Sequence, residues 1–253
     1  MGRQGITKRP GQRDAARAEA AGLAWLREAS DRVVEVLEVT DSSLTPPPVP
    51  PPGPPPEAAR RAGRELARIH DAGAGSFGCP PPGWTGLNYI GTQPQACEPR
   101  ERWADFYVEQ RVLPFAKAAH EAGNIDDAAW DTVRRACAAV RDSDAFDAAK
   151  PARIHGDLWA GNLLFGADGP AFIDPAAHGG HRETDLAMLD LFGAPIIEEI
   201  RAGYEEAHPL PKGWLDFTCV HQLHPLAVHA FTHGPSYGHA LESRAAETLD
   251  LLG

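Results

Sequence analysis

Nine of the eleven residues from Pro46 to Pro56 are proline, and no other stretch restricts the fold as strongly. Each proline fixes φ and removes an amide donor, so the tract forms polyproline II and can enter neither a helix nor a central strand. The chain is therefore expected to divide into a first segment over residues 1–45, a semi-rigid connection over 46–56, and a larger part over 57–253. In the first segment, Gly5 to Pro10 reads as a short strand carrying Lys8. Asp14 to Glu28 reads as a helix, with Leu23 and Leu26 on one face, and Val33 to Val39 as strand material.

Beyond the tract the pattern turns helical. Ala59, Ala62, Leu66 and Ile69 recur at spacings of three and four, which predicts a helix over Glu57–Asp71. Gly- and Pro-rich residues 72–100 read as a long loop of the kind that often serves as a binding surface. Helices are expected over Arg100–Ala122 and Asp126–Arg141, where Trp130, Val133, Cys137 and Val140 make a core-facing stripe. Pro175–Arg182 reads as a loop and Glu183–Phe192 as a helix. His221 and His224 lie three apart on a helical stretch, but no Cys or carboxylate completes a metal site with them, and packed or surface histidines are expected.

The chemistry is concentrated between Arg153 and Asp174. Leu163-Leu164-Phe165 and Ala171-Phe172-Ile173 are apolar runs flanking Asp168-Gly169, the signature of a hairpin. Asp157 and Asn162 then lie on the loop entering the first strand, and Asp174 at the exit of the second. Phosphoryl transfer needs a carboxylate at the acceptor hydroxyl and oxygen ligands for a divalent cation. The interval from Asp157 to Asn162, with His155 two residues earlier, is that of the H-R-D-L-x-x-x-N loop of protein kinases, and Asp174 stands where the metal-binding Asp of the next motif would stand.

Composition limits the partners. The formal charge is −11, with 24 Lys and Arg against 35 Asp and Glu, which disfavours nucleic acid, since phosphate binding is led by clustered cations. No apolar run is long enough to span a bilayer. Residues 1–5 carry no hydrophobic signal core, so a cytoplasmic location is expected. The cysteines Cys79, Cys97, Cys137 and Cys219 are widely spaced and read as reduced thiols.

His155-Gly156-Asp157-Leu158-Trp159-Ala160-Gly161-Asn162, then Ile173-Asp174-Pro175-Ala176 and Arg182-Glu183-Thr184-Asp185-Leu186, resemble the fructosamine kinase (ketosamine-3-kinase) family. Trp159 after the loop Leu, and Asp-Pro-Ala in place of Asp-Phe-Gly, separate the chain from protein kinases. The likeness implies an α+β, protein-kinase-like two-lobe fold, with a truncated β-rich N-terminal lobe and a mainly helical C-terminal lobe around the hairpin at 153–174. It implies ATP and Mg2+ as cofactors. Asp157 would be the catalytic carboxylate, Asn162 and Asp174 the Mg2+ ligands, and Lys8 and Glu19 the pair that aligns the nucleotide phosphates. Trp159 would face the acceptor, while His155 and Asp185 would support the catalytic loop.

The activity so implied is phosphorylation of a sugar-derived hydroxyl on a free or protein-bound fructosamine or ribulosamine, with deglycation as its result. The family carries a Gly-containing hairpin over the nucleotide phosphates ahead of the position of Lys8, and the sequence from Met1 is expected to lack it, through either a start recorded too late or a shortened gene. His178-Gly179-Gly180-His181 also departs from the family's Tyr-Tyr-Gly-Asp. Three other functions stay open: an aminoglycoside- or choline-type kinase built on the same residues, a pseudokinase or binding module without turnover, and a His-rich metal-binding protein using His221 and His224.

Overall fold

The structure is a computed structural model and describes residues 14–39, 43–45 and 55–253. Lys8, the expected strand around it, and most of the proline tract lie outside the described residues. In chain order the elements are α1 (Ala15–Arg27), β1 (Glu38–Val39), β2 (Leu44–Thr45), α2 (Pro56–Asp71), β3 (Asn88–Ile90), β4 (Gln93–Gln95), α3 (Trp103–Tyr107), a π-helical turn (Val108–Val112), α4 (Leu113–Glu121) and α5 (Asp127–Asp142). There follow β5 (Ala152–Ile154), a 3-10 turn (Ala160–Asn162), β6 (Leu163–Gly166), β7 (Gly169–Phe172), β8 (His178–Gly180), α6 (Arg182–Leu191), α7 (Ile197–Ala207), a second 3-10 turn (Trp214–Phe217), α8 (Thr218–His233) and α9 (Pro235–Leu252).

These elements form two compact units. The first holds the described residues up to Cys97 together with Pro151–Leu210, and the second holds Glu98–Lys150 with Pro211–Gly253.

In the first unit α2 starts with Pro56 in its first turn, where an amide donor is not needed. It buries Ala59, Ala62, Leu66 and Ile69, as the spacing predicts. It crosses α7 at near backbone contact: a Cβ on Gly63 would lie 1.9 Å from the Ile200 carbonyl oxygen, and one on Gly203 1.9 Å from that of Arg60. Side chains could not fit there, so the two glycines fix where the helices meet. Strands β6 and β7 pair antiparallel from Leu163↔Phe172 to Gly166↔Gly169, and Leu163, Phe165 and Phe172 face the core. The connecting residues are Ala167 and Asp168, one position earlier than the expected Asp168-Gly169. Gly169, at φ 111°, closes the ribbon.

Three expectations are corrected in this unit. Val33 to Val39 is not one strand: Val33 bridges Phe172 in parallel, Val34 N–H donates to the Phe172 carbonyl at 3.1 Å, and only Glu38–Val39 is a strand, paired with Leu44–Thr45. The presumed loop over 72–100 contains the hairpin β3–β4, turning at Gly91-Thr92 with Gly91 at φ 55°. The loop over 175–182 contains β8, which pairs with β5. Its glycines are required by close approach, since a Cβ on Gly179 would lie 2.0 Å from the Ser76 carbonyl oxygen.

In the second unit α5 is capped by Asp126, whose side chain accepts from the Ala129 amide, and buries Val133, Ala136, Cys137 and Val140. The expected helix from Arg100 starts at Trp103 and contains the π-helical turn, an irregularity that periodicity does not signal. His221 and His224 are buried in α8, and the His221 and Trp103 ring centroids lie 4.8 Å apart. Among the described residues no helix is long and apolar enough to cross a membrane.

Candidate active site

The site is built on two straps across the β6–β7 ribbon. Strand β5 delivers the chain to His155, which is 1 % exposed. Its Nε2–H donates to the Ile173 carbonyl at 2.8 Å, while Nδ1 accepts the Asp157 amide at 3.3 Å. One neutral imidazole thus ties the start of the 155–162 loop to the residue just before Asp174. Burial pushes the His155 pKa below the ordinary imidazole value, despite the Asp185 carboxylate nearby, and this keeps the ring neutral as both bonds require.

Asn162 makes the second strap. Its Nδ2 donates to the Asp157 carbonyl at 2.7 Å, to Asp157 Oδ2 at 3.3 Å and to the Asp174 carbonyl at 3.5 Å. The backbone reinforces it, for Ile173 N–H donates to the Asn162 carbonyl at 3.0 Å. The ribbon therefore brings Asp157, Asn162 and Asp174 to one mouth. Asp174 holds φ at 55°, a left-handed conformation that aspartate tolerates better than most residues.

The turn before Asp157 needs glycine. Gly156 has φ 81°, and a Cβ there would lie 2.3 Å from the Ala176 carbonyl oxygen. The amides of His155 and Gly156 are both taken by Asp185, at 2.7 Å to Oδ2 and 2.9 Å to Oδ1. Asp185 is fully buried, which by itself raises a carboxyl pKa. The His70 bond, the neighbouring imidazoles and the Gly156 amide outweigh that and hold it below the usual range, so the group is an anion.

A cavity of about 540 Å³ opens at the ribbon mouth. Asp157, Asn162, Asp174 and Trp159 line it together with Ala15, Ala18 and Glu19 of α1 and Asn88, Tyr89 and Gly91 of the β3–β4 hairpin. Trp159 is 43 % exposed, so it does not plug the interior; its ring lies so close over Gly161 that a Cβ there would fall 2.2 Å away. The donor set at the mouth is two carboxylates and an amide oxygen, the hard oxygen ligands that suit Mg2+. The Asn162 side chain is tied by hydrogen bonds to the Asp157 carboxylate and to the Asp174 backbone, and all three residues line the one cavity, which fits such an ion.

Of the expected site residues, Asp157, Asn162, Asp174, Trp159 and Glu19 share this cavity, His155 and Asp185 lie behind it, and Lys8 falls outside the described residues. Asn88 and Tyr89 were not foreseen. Buried Asn88 donates through Nδ2 to the Ala176 carbonyl at 2.9 Å and the Ala177 carbonyl at 3.3 Å, pinning the hairpin beside Asp174. Asn88-Tyr89-Ile90 shows no apolar-polar alternation, so no local pattern in the sequence marked them.

Comparisons with known proteins identify the family of the chain. The family model described as fructosamine kinase matches residues 51–250. A solved structure of a candidate fructosamine-3-kinase from Thermobifida fusca superposes with a TM-score of 0.86 at 44% identity, covering 92% of this chain and 80% of that one. A probable ketoamine kinase of Enterococcus faecium is 34% identical over 174 residues, 68% of this chain and 61% of the relative. A mutant aminoglycoside phosphotransferase solved with ADP and hygromycin B shares the fold, with a TM-score of 0.57 at 15% identity, over 93% of this chain and 84% of that one. The aligned part of this chain spans about three fifths of the length of the first curated relatives it matches. On the family match over most of its length, the chain belongs to the fructosamine kinase family, with that family's α+β, protein-kinase-like fold.

Proposed function

We propose that the protein is an ATP-dependent kinase that phosphorylates a sugar hydroxyl of ketosamines, the fructosamines or ribulosamines formed when sugars react with amines. One observation carries the reading: the Asn162 amide bonds both Asp157 and the Asp174 carbonyl at the mouth of a cavity large enough for a phosphate chain and a sugar. Asp157 would orient the acceptor hydroxyl and accept its proton as the oxygen attacks the terminal phosphorus. Asn162 Oδ1 and the Asp174 carboxylate would hold Mg2+, which would supply positive charge to offset the negative charge developing on the transferred phosphoryl group. Glu19, on α1 at the cavity edge, would orient Lys8 toward the nucleotide phosphates, as the family likeness implies.

Trp159 and Tyr89 offer two aromatic faces at the cavity, suited to the flat side of a sugar and to a protonated amine beside it. Phosphorylation of the ketosamine would weaken its linkage to the amine, so the biological result would be deglycation, in the cytoplasm. ADP release with fructosyl-lysine, ribosyl-lysine, choline and an aminoglycoside as acceptors tests the reading. The expected result is Mg2+-dependent turnover on the ketosamines at a kcat/KM at least tenfold above the others. A preference for choline or the aminoglycoside would contradict it, as would ATP binding without turnover on any acceptor.

A further inference from the structure

Asp185 does not stand alone behind the catalytic loop. His70, at the end of α2 and fully buried, donates its Nε2–H to Asp185 Oδ2 at 3.0 Å and receives the Tyr204 hydroxyl proton at Nδ1, 2.8 Å away. The Tyr204 oxygen in turn accepts Arg182 Nη1–H at 3.0 Å, and Arg182 is held from outside by Asp71 Oδ1, 3.1 Å from both of its terminal nitrogens. Three helices contribute: α2 gives His70 and Asp71, α6 gives Arg182 and Asp185, and α7 gives Tyr204.

Each donor in this chain has only one way to point. Arg182 can only donate, so the Tyr204 hydroxyl turns its proton to His70, and His70 must then carry its own proton on Nε2, toward the carboxylate. In the other tautomer an Nε2 lone pair would face Asp185 Oδ2, and an Nδ1–H would face the Tyr204 proton. Burial favours the neutral ring and lowers the His70 pKa, so protonation is not an easy substitute for the correct tautomer.

We propose that Tyr204 and Arg182 are positioning residues for phosphoryl transfer: they anchor the Nδ1 side of the His70 ring, which orients Asp185, which holds the His155 and Gly156 amides and so the backbone from which Asp157 projects. The relay rests on the function proposed above, because its effect on rate is read through that reaction. Its structural effect can be read without turnover.

The test is Tyr204→Phe in the full chain, which removes one hydroxyl from a ring that stays buried. Three quantities are measured: the His70 tautomer from 15N imidazole shifts, assigned by their loss in His70→Gln; amide exchange at His155 and Gly156; and kcat and KM. The expected outcome is an Nδ1 shift moved to that of an unbonded imidazole nitrogen with Nε2–H retained, roughly tenfold faster exchange at the two amides, and a kcat roughly tenfold lower with KM for ATP within about twofold, as small misplacements of a reacting group produce. An unchanged Nδ1 shift, unchanged amide exchange or a kcat within about twofold of the parent each overturns the proposal. If the parent turns over no acceptor, the proposed function falls while the imidazole shifts and amide exchange still decide the relay. Should Tyr204→Phe not fold, Arg182→Met, at a side chain 20% exposed, replaces it, with smaller changes of the same sign expected and the same three results overturning.

Discussion

Two buried side chains supply hydrogen bonds that the backbone cannot make for itself, and they do so with different chemistry. In the first unit the chain leaves β5 with the amides of His155 and Gly156 turned inward, and the Asp185 carboxylate accepts both. In the second, Pro225 inside α8 has no amide to offer the His221 carbonyl. The Tyr107 hydroxyl substitutes: it donates toward the Val220 and His221 carbonyls at 2.8 and 2.9 Å and accepts the His224 amide at 3.1 Å. A neutral hydroxyl suffices to continue a helix. An anion with three donors around it defines an orientation, which is what the backbone ahead of Asp157 requires.

The contrast can be broken in order of expected effect. Asp185→Asn puts an NH2 group where one acceptor oxygen stood, so at least one buried amide loses its partner. It should cost about 2–4 kcal/mol in denaturant unfolding and lower kcat at least about a hundredfold. If stability falls while kcat holds, Asp185 is a structural residue like Tyr107. Tyr107→Phe should cost about 1–3 kcal/mol, because the His221 carbonyl and His224 amide are left buried without it, with kcat within twofold of the parent. A large kcat loss would remove the distinction between the two regions.

Acid sharpens it further. Burial lowers the His221 pKa from 6.5 to about 3, so below pH 6.5 the unfolded chain takes up a proton that the folded chain refuses. Stability should therefore fall with pH from 6.5 toward 3, by up to about 1.4 kcal/mol per pH unit for this group. His70 and His155, also lowered by burial, add losses of the same sign below 6.5. Asp185 acts with the same sign but in a lower window. Its folded pKa lies below 3.8, so its contribution is complete above 3.8 and is lost only as pH falls through the lower folded value. His221→Gln should flatten the loss between pH 6 and 4, measured by unfolding at a series of pH values; an unchanged slope would mean that the proton is taken up elsewhere.

How much of this the sequence disclosed depends on the range of the interaction that decides each element. Helix α2 was legible because its apolar stripe is a local period, and the Asp157, Asn162, Asp174 constellation because a short ribbon converts sequence spacing directly into proximity. β8 was missed because Gly179 and Gly180 show no alternation; they are there because Ser76 and Ile154 lie too close for a side chain. Strand β4 was hidden by Pro94 at its centre, tolerated in a two-stranded ribbon. The partners of Asp185 and of the α8 carbonyls could not be read either, since His70 and Tyr204 lie 134 residues apart and Tyr107 and Val220 lie 113 apart.

The central claim is that Asp157, Asn162 and Asp174 form one phosphoryl-transfer site. Single-turnover transfer from ATP to fructosyl-lysine by Asp157→Asn, with Mg2+-ATP affinity measured alongside, tests it most directly. The account predicts transfer slowed at least about a thousandfold, with affinity within a few-fold of the parent because the proposed cation ligands remain. Transfer at a rate near that of the parent would contradict it and move the base to another residue.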